Sequence, residues 1–285
     1  MSRIAYVNGR YVPHDQAAVH IEDRGFQFAD SIYEVCAVEE GRFVDERPHY
    51  DRMVRSLAAL EIDPPLGFEA LRLVYREVVR RNRLSSAIVY CQVTRGQARR
   101  DHAFPRPAPE PTIVVTAKRI DREKIQWVRE NGIRVVGAPD NRWGRCDIKS
   151  TGLLANVLAK QAARSGGAYE AWFVDSNGNV TEGTSTNAWI VVGGTLITRP
   201  LDNHILGGVT RASLIAVARE AGIDVEERKF SLTEAKQAEE AFSSASTVGA
   251  MPVISIDDAQ ISGGKVGPVT TRLNALYAAK AQKGT

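Results

Sequence analysis

Two side chains in this chain invite a chemical reading first, one amine and one carboxylate. Lys149 sits in Cys146-Asp-Ile-Lys-Ser150, between a short strand-like run and a helix-like run that carries Leu153, Leu154, Val157, Leu158 and Ala162 at helical spacing and stops at Gly166-Gly167. A lysine is ordinarily a solvated point charge, and it becomes a nucleophile or a base only where its surroundings hold it beside an electrophile. Lys160, the one local competitor, belongs near the far end of that helix, where its long stem is expected to reach water. Glu182 lies in Val180-Thr-Glu-Gly-Thr-Ser-Thr-Asn187. Taken alone this run reads as a surface turn. Beside a ring nitrogen that must stay protonated, the same carboxylate becomes a functional partner.

Three further groupings bear on what ligand such a pair can serve. Gly207-Gly208-Val209-Thr210 opens a helix carrying Leu214, Ile215, Val217 and Ala218. Glycines there let a backbone approach an anion, the first helical N–H groups point at it, and the threonine hydroxyl adds a donor; the plain alternative is a loop and a helix cap. The hydroxyl-rich run Ser243-Ser-Ala-Ser-Thr247 can cap the next segment or close the other side of an anion site. In Thr94-Arg-Gly-Gln-Ala-Arg-Arg-Asp-His-Ala-Phe-Pro105, Arg100 and His102 are two apart and face one way in extended chain, so they can clamp a carboxylate; as a plain polar loop they are simply solvated. Together the groupings ask for one ligand with a phosphate, a basic ring nitrogen and an aldehyde that a lysine can condense with. Pyridoxal 5'-phosphate is that ligand.

The elements that must position these residues follow the chain. Asn8-Gly9 and Glu40-Gly41 each turn one strand-like run into the next as β-hairpins. Helices are expected over Tyr50–Glu61 and about 68–82, then strands over Ala87–Thr94 and Thr112–Ala117, an α+β pattern. A charged connector from Lys118 separates this block from a second one that restarts at Ile133. The second block has strands at Glu170–Val174, Ala188–Val192, Leu196-Ile197 and near 241–245 and 253–256, and a terminal helix at about 268–281. The expected fold is a two-domain α/β protein, with a small α+β domain over 1–118 and a larger pseudo-barrel domain over 119–285 that carries Lys149.

Composition narrows the class. The 285 residues are 44% hydrophobic and 25% charged, ordinary globular material, and 37 basic against 34 acidic residues leave only +3, spread along the chain. Nothing points to nucleic acid or to a membrane surface. Cys36, Cys91 and Cys146 lie far apart with no Cys-x-x-Cys, so they read as thiols in a reducing compartment and not as metal ligands. With no leader-like N-terminus, the expectation is a cytoplasmic protein.

The wording of the chain resembles a known family. Cys146-Asp-Ile-Lys-Ser150 with Leu153-Leu-Ala-Asn-Val-Leu-Ala-Lys-Gln161, then Val180–Asn187, then Ile205-Leu-Gly-Gly-Val-Thr-Arg211, is similar to the class IV (fold type IV) aminotransferases. Glu22-Asp-Arg-Gly-Phe-Gln-Phe-Ala-Asp-Ser-Ile-Tyr-Glu-Val35 and Arg100-Asp-His-Ala-Phe-Pro105 resemble the D-amino-acid (D-alanine) aminotransferases within it. The resemblance runs from the Asn8-Gly9 hairpin to Gly264-Lys-Val-Gly267. It implies a homodimer that transaminates D-amino acids with 2-oxo acids such as 2-oxoglutarate or pyruvate. Lys149 would carry the cofactor, Glu182 would pair with its ring nitrogen, and Arg52 would bind its phosphate with help from Val209, Thr210 and Thr247. Leu206 would pack beneath the ring, with Ser185 near it. Tyr33, with Arg100 and His102 reaching across from the neighbouring subunit, would trap the substrate carboxylate. Asp101 departs from the small neutral residue expected in that trap, and Ser243–Thr247 departs from the usual Thr-Ser-Thr run. Branched-chain L-amino-acid aminotransferase and aminodeoxychorismate lyase share the implied fold and lysine, but they organise carboxylate binding differently from an Arg100/His102 pair. A non-enzymatic vitamin B6 carrier or scaffold is the alternative of another class.

Overall fold

A computed structural model describes residues 3–283, so the outermost residues of the two expected domains, 1–2 and 284–285, lie outside the described residues. The chain forms two compact units. The first runs through Ile120 and includes Ile148–Gly152; the second holds Asp121–Asp147 and everything from Leu153 on. Lys149 therefore belongs with the first unit, whereas the sequence assigns it to the second. The reason is backbone pairing: Tyr33 donates its N–H to the Lys149 carbonyl at 3.0 Å, Thr151 donates to the Ser31 carbonyl at 3.2 Å, and Ile32 bridges Ser150.

The first unit contains β1 (Ile4–Val7), β2 (Arg10–Pro13), α1 (Arg24–Phe28), β3 (Ser31–Glu39), β4 (Arg42–Phe43), α2 (Glu46–Ala59), α3 (Phe68–Arg81), β5 (Ala87–Thr94) and β6 (Thr112–Arg119). Its strands form one antiparallel sheet in the order β2-β1-β6-β5-β3-β4. Both hairpins turn where expected, with positive φ at Asn8 and Gly9 and at Glu40 and Gly41, as a two-residue I′ turn requires. Helix α2 begins at Glu46, earlier than expected. Pro48 falls in its first turn, where a missing N–H costs nothing. On α3 the stripe Leu71, Val74, Tyr75, Val78 and Val79 is buried, and with Met53 and Leu57 of α2 it packs on Ile32, Val89, Cys91 and Val115 of the sheet. Each large side chain so buried contributes about 2 kcal/mol.

The second unit contains α4 (Arg122–Asn131), β7 (Ile133–Pro139), α5 (Leu154–Ser165), β8 (Glu170–Val174), β9 (Val180–Gly183), β10 (Asn187–Val192), β11 (Thr195–Thr198), α6 (Val209–Glu220), β12 (Val225–Glu227), α7 (Leu232–Gln237), β13 (Glu240–Ala245), β14 (Gly249–Ile256), β15 (Ala259–Gln260) and α8 (Pro268–Lys283). A mixed sheet runs β12-β11-β10-β13-β14-β7-β8-β9, with β15 added to β14. Trp172, Ile190, Phe230, Met251 and Val253 are central to its core. The expected connector is helix α4: Asp121 caps it by accepting from the Lys124 N–H at 2.9 Å, and only Val128 of the helix is buried. Too few apolar residues mark it for its period to be read. Helix α5 departs in the other direction. Its predicted core stripe points outward, with Leu154, Val157 and Leu158 exposed at 79, 59 and 66%, while Ala163 on the other side is buried.

Candidate active site

The first unit builds one set of groups from the two faces of β3 and one face of α2. Alternation along β3 puts Glu34 on the same face as Ile32, Cys36 and Val38, under the helices, and Tyr33 on the other. On α2, His49, Arg52, Met53 and Ser56 are spaced i, i+3, i+4 and i+7 and are all buried. Glu34 accepts from Arg52 through two bonds of 2.8 Å, Nε to Oε1 and Nη2 to Oε2, and its Oε2 lies 2.8 Å from His49 Nδ1. Burial pushes the Glu34 carboxyl pKa up, but the Arg52 guanidinium and the bonds from Arg52 and His49 outweigh it and hold the group well below the usual carboxylate range. Arg52 is thus aimed by a buried carboxylate. One helical turn on, Ser56 Oγ accepts from the Lys149 N–H at 3.2 Å. Lys149 Nζ lies 4.1 Å from the centroid of the Tyr33 ring, close enough for a cation–π contact. Tyr90 stacks behind Tyr33 at 5.6 Å; burial and the neighbouring Tyr33 push its own pKa up to about 12.

Arg100 and His102 also meet in this unit. The Arg100 guanidinium lies 5.1 Å over the Phe28 ring, and the His102 ring is 5.5 Å from the same ring. Asp101 between them is exposed, and its Oδ1 accepts from the Ala103 N–H at 3.2 Å. The carboxylate therefore serves the turn of its own loop.

The second unit builds a set around Glu182, which lies in buried strand β9 and not in a surface turn. Its Oε2 accepts from the Leu206 N–H at 3.0 Å and from Asn187 Nδ2 at 3.1 Å, and its Oε1 pairs with Arg142 Nη1. Arg142 also grips Asp140 through Nε at 2.9 Å and Nη2 at 2.8 Å, reaches the His204 carbonyl at 3.0 Å, and lies 4.5 Å over the Phe173 ring. Burial works against Asp140 as an anion, but Arg142 and Thr181 more than offset it and lower its pKa. Burial opposes the Arg142 charge in the same way, and its acidic neighbours raise its pKa regardless. Leu206 is fixed by its backbone at both ends, since its carbonyl accepts from Asn187 Nδ2 at 2.9 Å.

Helix α6 starts at Val209 with Gly208 at the N-cap position and no side chain capping it. Gly208 is obligatory for space: a Cβ there would lie 2.1 Å from Asn187 Oδ1. Thr210 is buried, and its hydroxyl donates to Ser246 Oγ at 3.4 Å; Thr247 sits half-buried in the turn before β14. Much of the hydroxyl run does structural work instead. Ser243 and Ser244 lie in β13 and accept the indole N–H groups of Trp172 and Trp189, each at 2.9 Å. Ser185 is exposed and donates to Glu170 at 3.3 Å, and Lys160, expected in water, pairs with the buried Glu170 at 3.1 Å. Cys146 offers no rival nucleophile, because burial pushes its thiol up to about 11 despite the nearby Arg142.

Set beside known sequences, residues 31–256 match the family model for amino-transferase class IV. The chain belongs to the class IV aminotransferases. A D-alanine aminotransferase of Listeria monocytogenes is 40% identical over 273 residues, covering 95% of this chain and 93% of that protein. One from Staphylococcus aureus is 39% identical over 269 residues, covering 94% of each. Among solved structures, the branched-chain amino acid aminotransferase from Escherichia coli superposes with a TM-score of 0.89 at 25% identity, covering all of this chain and 96% of that one. A second branched-chain amino acid aminotransferase, complexed with N-(5'-phosphopyridoxyl)-L-glutamate, gives the same TM-score, identity and coverage. This class IV chain thus has the two-domain α/β fold that its motifs imply.

Sequence reasoning missed Glu34, His49, Asp140, Arg142 and Arg24. Glu34 did leave a signal, a carboxylate centred in the apolar run Ser31–Val38, where a buried charge demands a cation. Arg142 lies seven residues before Lys149, and Asp140 two residues earlier is its partner.

Proposed function

We propose that this aminotransferase uses pyridoxal 5'-phosphate to exchange amino groups between D-amino acids, D-alanine among them, and 2-oxo acids. The observation that carries the reading is Glu182: a buried carboxylate paired with Arg142 and fixed by a backbone N–H and an amide suits a protonated ring nitrogen. The donor set fits the rest of the cofactor. The uncapped start of α6 with the Thr210 and Ser246 hydroxyls suits a phosphate, with Val209 and Thr247 beside it. Arg52, aimed by Glu34, would add a guanidinium to that anion. When bound, pyridoxal phosphate supplies an aldehyde that takes up the substrate amine and a ring that draws electrons from the substrate Cα.

The chain's own residues do the rest. Lys149 Nζ would hold the cofactor and, once the substrate amine has displaced it, would act as the free amine that takes the proton from the substrate Cα. Glu182 keeps a proton on the ring nitrogen. Leu206 packs under the ring, with Ser185 on the loop beyond β9. Tyr33, Arg100 and His102 bind the carboxylate of the amino acid, which favours a D-amino acid over a branched-chain L substrate, as do the relatives near 40% identity. Assay of D-alanine against L-leucine, each with 2-oxoglutarate, tests this: turnover of D-alanine is expected, and turnover of L-leucine alone sinks it in favour of a branched-chain enzyme. No turnover of either, with cofactor bound, points to a carrier.

A homodimer is part of the same proposal, with Arg100 and His102 serving the neighbouring subunit. It is supported by the outward stripe Leu154, Val157 and Leu158 on α5, which a second copy would cover. Leu158→Glu is expected to shift the species seen by analytical ultracentrifugation from dimer to monomer. Three free thiols suit a cytoplasmic setting, and among the described residues no helix is long and apolar enough to cross a membrane.

A further inference from the structure

Beneath the exposed loop that carries Arg100 and His102 lies a buried charge cluster that touches no expected ligand. Arg24, the first residue of α1, is 3% exposed. Its Nη1 donates to the Asp101 carbonyl at 2.5 Å, its Nη2 to the His102 carbonyl at 3.3 Å, and its Nε to Asp30 Oδ2 at 2.7 Å. Asp30 is shared with a second buried guanidinium: Arg95 donates to Oδ2 through Nε at 2.7 Å and to Oδ1 through Nη2 at 3.0 Å. Arg95 in turn holds the Leu60 and Glu61 carbonyls at the end of α2, and it lies 3.7 Å from the centroid of Phe104 at the far side of the loop. One carboxylate thus locks two arginines, each of which grips the loop.

Helix α1 is itself fixed. Asp23 caps it at the Gly25 N–H and accepts from Thr94 Oγ1, at 2.8 and 2.9 Å. A Cβ at Gly25 would lie 2.4 Å from Thr94 Cγ2, so the helix packs closely against β5 at this point. Phe28, one turn along α1, has Arg24 at 4.9 Å on its ring as well as Arg100 and His102.

We propose that Arg24 is a positioning residue for the substrate carboxylate: by holding the Asp101 and His102 carbonyls it sets the spacing of the Arg100 and His102 side chains. This rests on the reading of those two as the carboxylate trap. Arg24→Lys keeps a cation beside Asp30 but loses the forked reach to two carbonyls, and Asp30 keeps Arg95. The expected result is a KM for D-alanine raised about tenfold, with kcat within about threefold of wild type and an unchanged thermal midpoint. Because Arg24 acts through both trap side chains, the same substitution in an Arg100→Ala/His102→Ala background is expected to change KM less than about twofold. Equal losses in both backgrounds, or a fall in kcat with no rise in KM, overturn the proposal. Should Arg24→Lys lower the thermal midpoint, Phe28→Leu replaces it in the same cycle, with the same coupling expected through loss of the ring that Arg24 and Arg100 share. If wild type does not turn over D-alanine, or if Arg100→Ala alone leaves its KM unchanged, the trap reading fails, a result distinct from failure of Arg24.

Discussion

The two units each bury a glutamate against an arginine, and they use the pair in opposite senses. In the first, Glu34 spends both oxygens on Arg52 and His49, so the anion is consumed in aiming the cation. In the second, Arg142 divides itself among Asp140, Glu182, Thr181 and the His204 carbonyl, so the cation is consumed in holding an anion in place. In the proposed function the same kind of ion pair would present a guanidinium to a phosphate in one place and a carboxylate to a ring nitrogen in the other. Which partner is functional is decided by the third group. His49 closes off the Glu34 carboxylate, whereas Asp140 takes up most of Arg142 and leaves Glu182 Oε2 to a backbone N–H and an amide.

The comparison breaks most visibly at its functional ends. Glu182→Gln is expected to lower kcat on the order of 10²–10³, since a neutral amide cannot hold a proton on the ring nitrogen; absorbance titration should show cofactor still bound. Glu34→Gln is expected to act on folding and on the phosphate instead. It leaves Arg52 buried without its counter-charge, at a cost of about 3 kcal/mol in urea unfolding, and weakens cofactor binding with less effect on kcat at saturating cofactor. If Glu34→Gln lowers kcat as much as Glu182→Gln does, the two pairs are not opposite in sense.

Acid separates the pairs further. The folded-state pKa of Glu34 is depressed, so its contribution is fully present above the ordinary carboxylate value of about 4.3 and is lost as pH falls below it. Wild type should lose stability across that range with a slope steeper than Glu34→Gln by up to about 1.4 kcal/mol per pH unit. Unfolding curves at pH 5, 4 and 3 measure it, and parallel slopes would exclude a depressed Glu34 pKa in the folded state.

How much of this was legible depended on whether local signals agreed with the tertiary outcome. The Asn8-Gly9 and Glu40-Gly41 turns and the α3 stripe were readable because backbone chemistry and burial pointed the same way. The α5 stripe was readable as a helix and misleading as core, because periodicity reports an apolar face and not what covers it. Lys149, Glu182 and Thr210 stood out by residue type in recognisable strings. Arg24 did not, since an arginine on the page looks solvated until packing brings its partner from far along the chain, as with the Asp101 carbonyl; Glu34 and Arg142 were marked only by an apolar run and by a near neighbour, Asp140. The unit that holds Lys149 was misassigned for the same reason: its pairing partner is β3, more than a hundred residues earlier.

The smallest test concerns a neutral member of the second cluster. Thr181 donates its hydroxyl to Asp140 Oδ2 at 2.7 Å and accepts from Arg142 Nη2 at 3.2 Å, so it holds Asp140 and Arg142 in register without carrying charge. Thr181→Val keeps the shape and removes both of these hydrogen bonds, which predicts a loss of about 1–2 kcal/mol in unfolding free energy. Asp140 loses one of the groups that lower its pKa, so the loss should be full at neutral pH and shrink as pH falls through the carboxylate range. If Arg142 truly divides itself, Glu182 keeps its own contacts and kcat at neutral pH stays within about twofold of wild type. A drop in kcat comparable to that of Glu182→Gln would instead mean that the Glu182 charge depends on the whole cluster moving as one body, and that the second pair is as closed as the first.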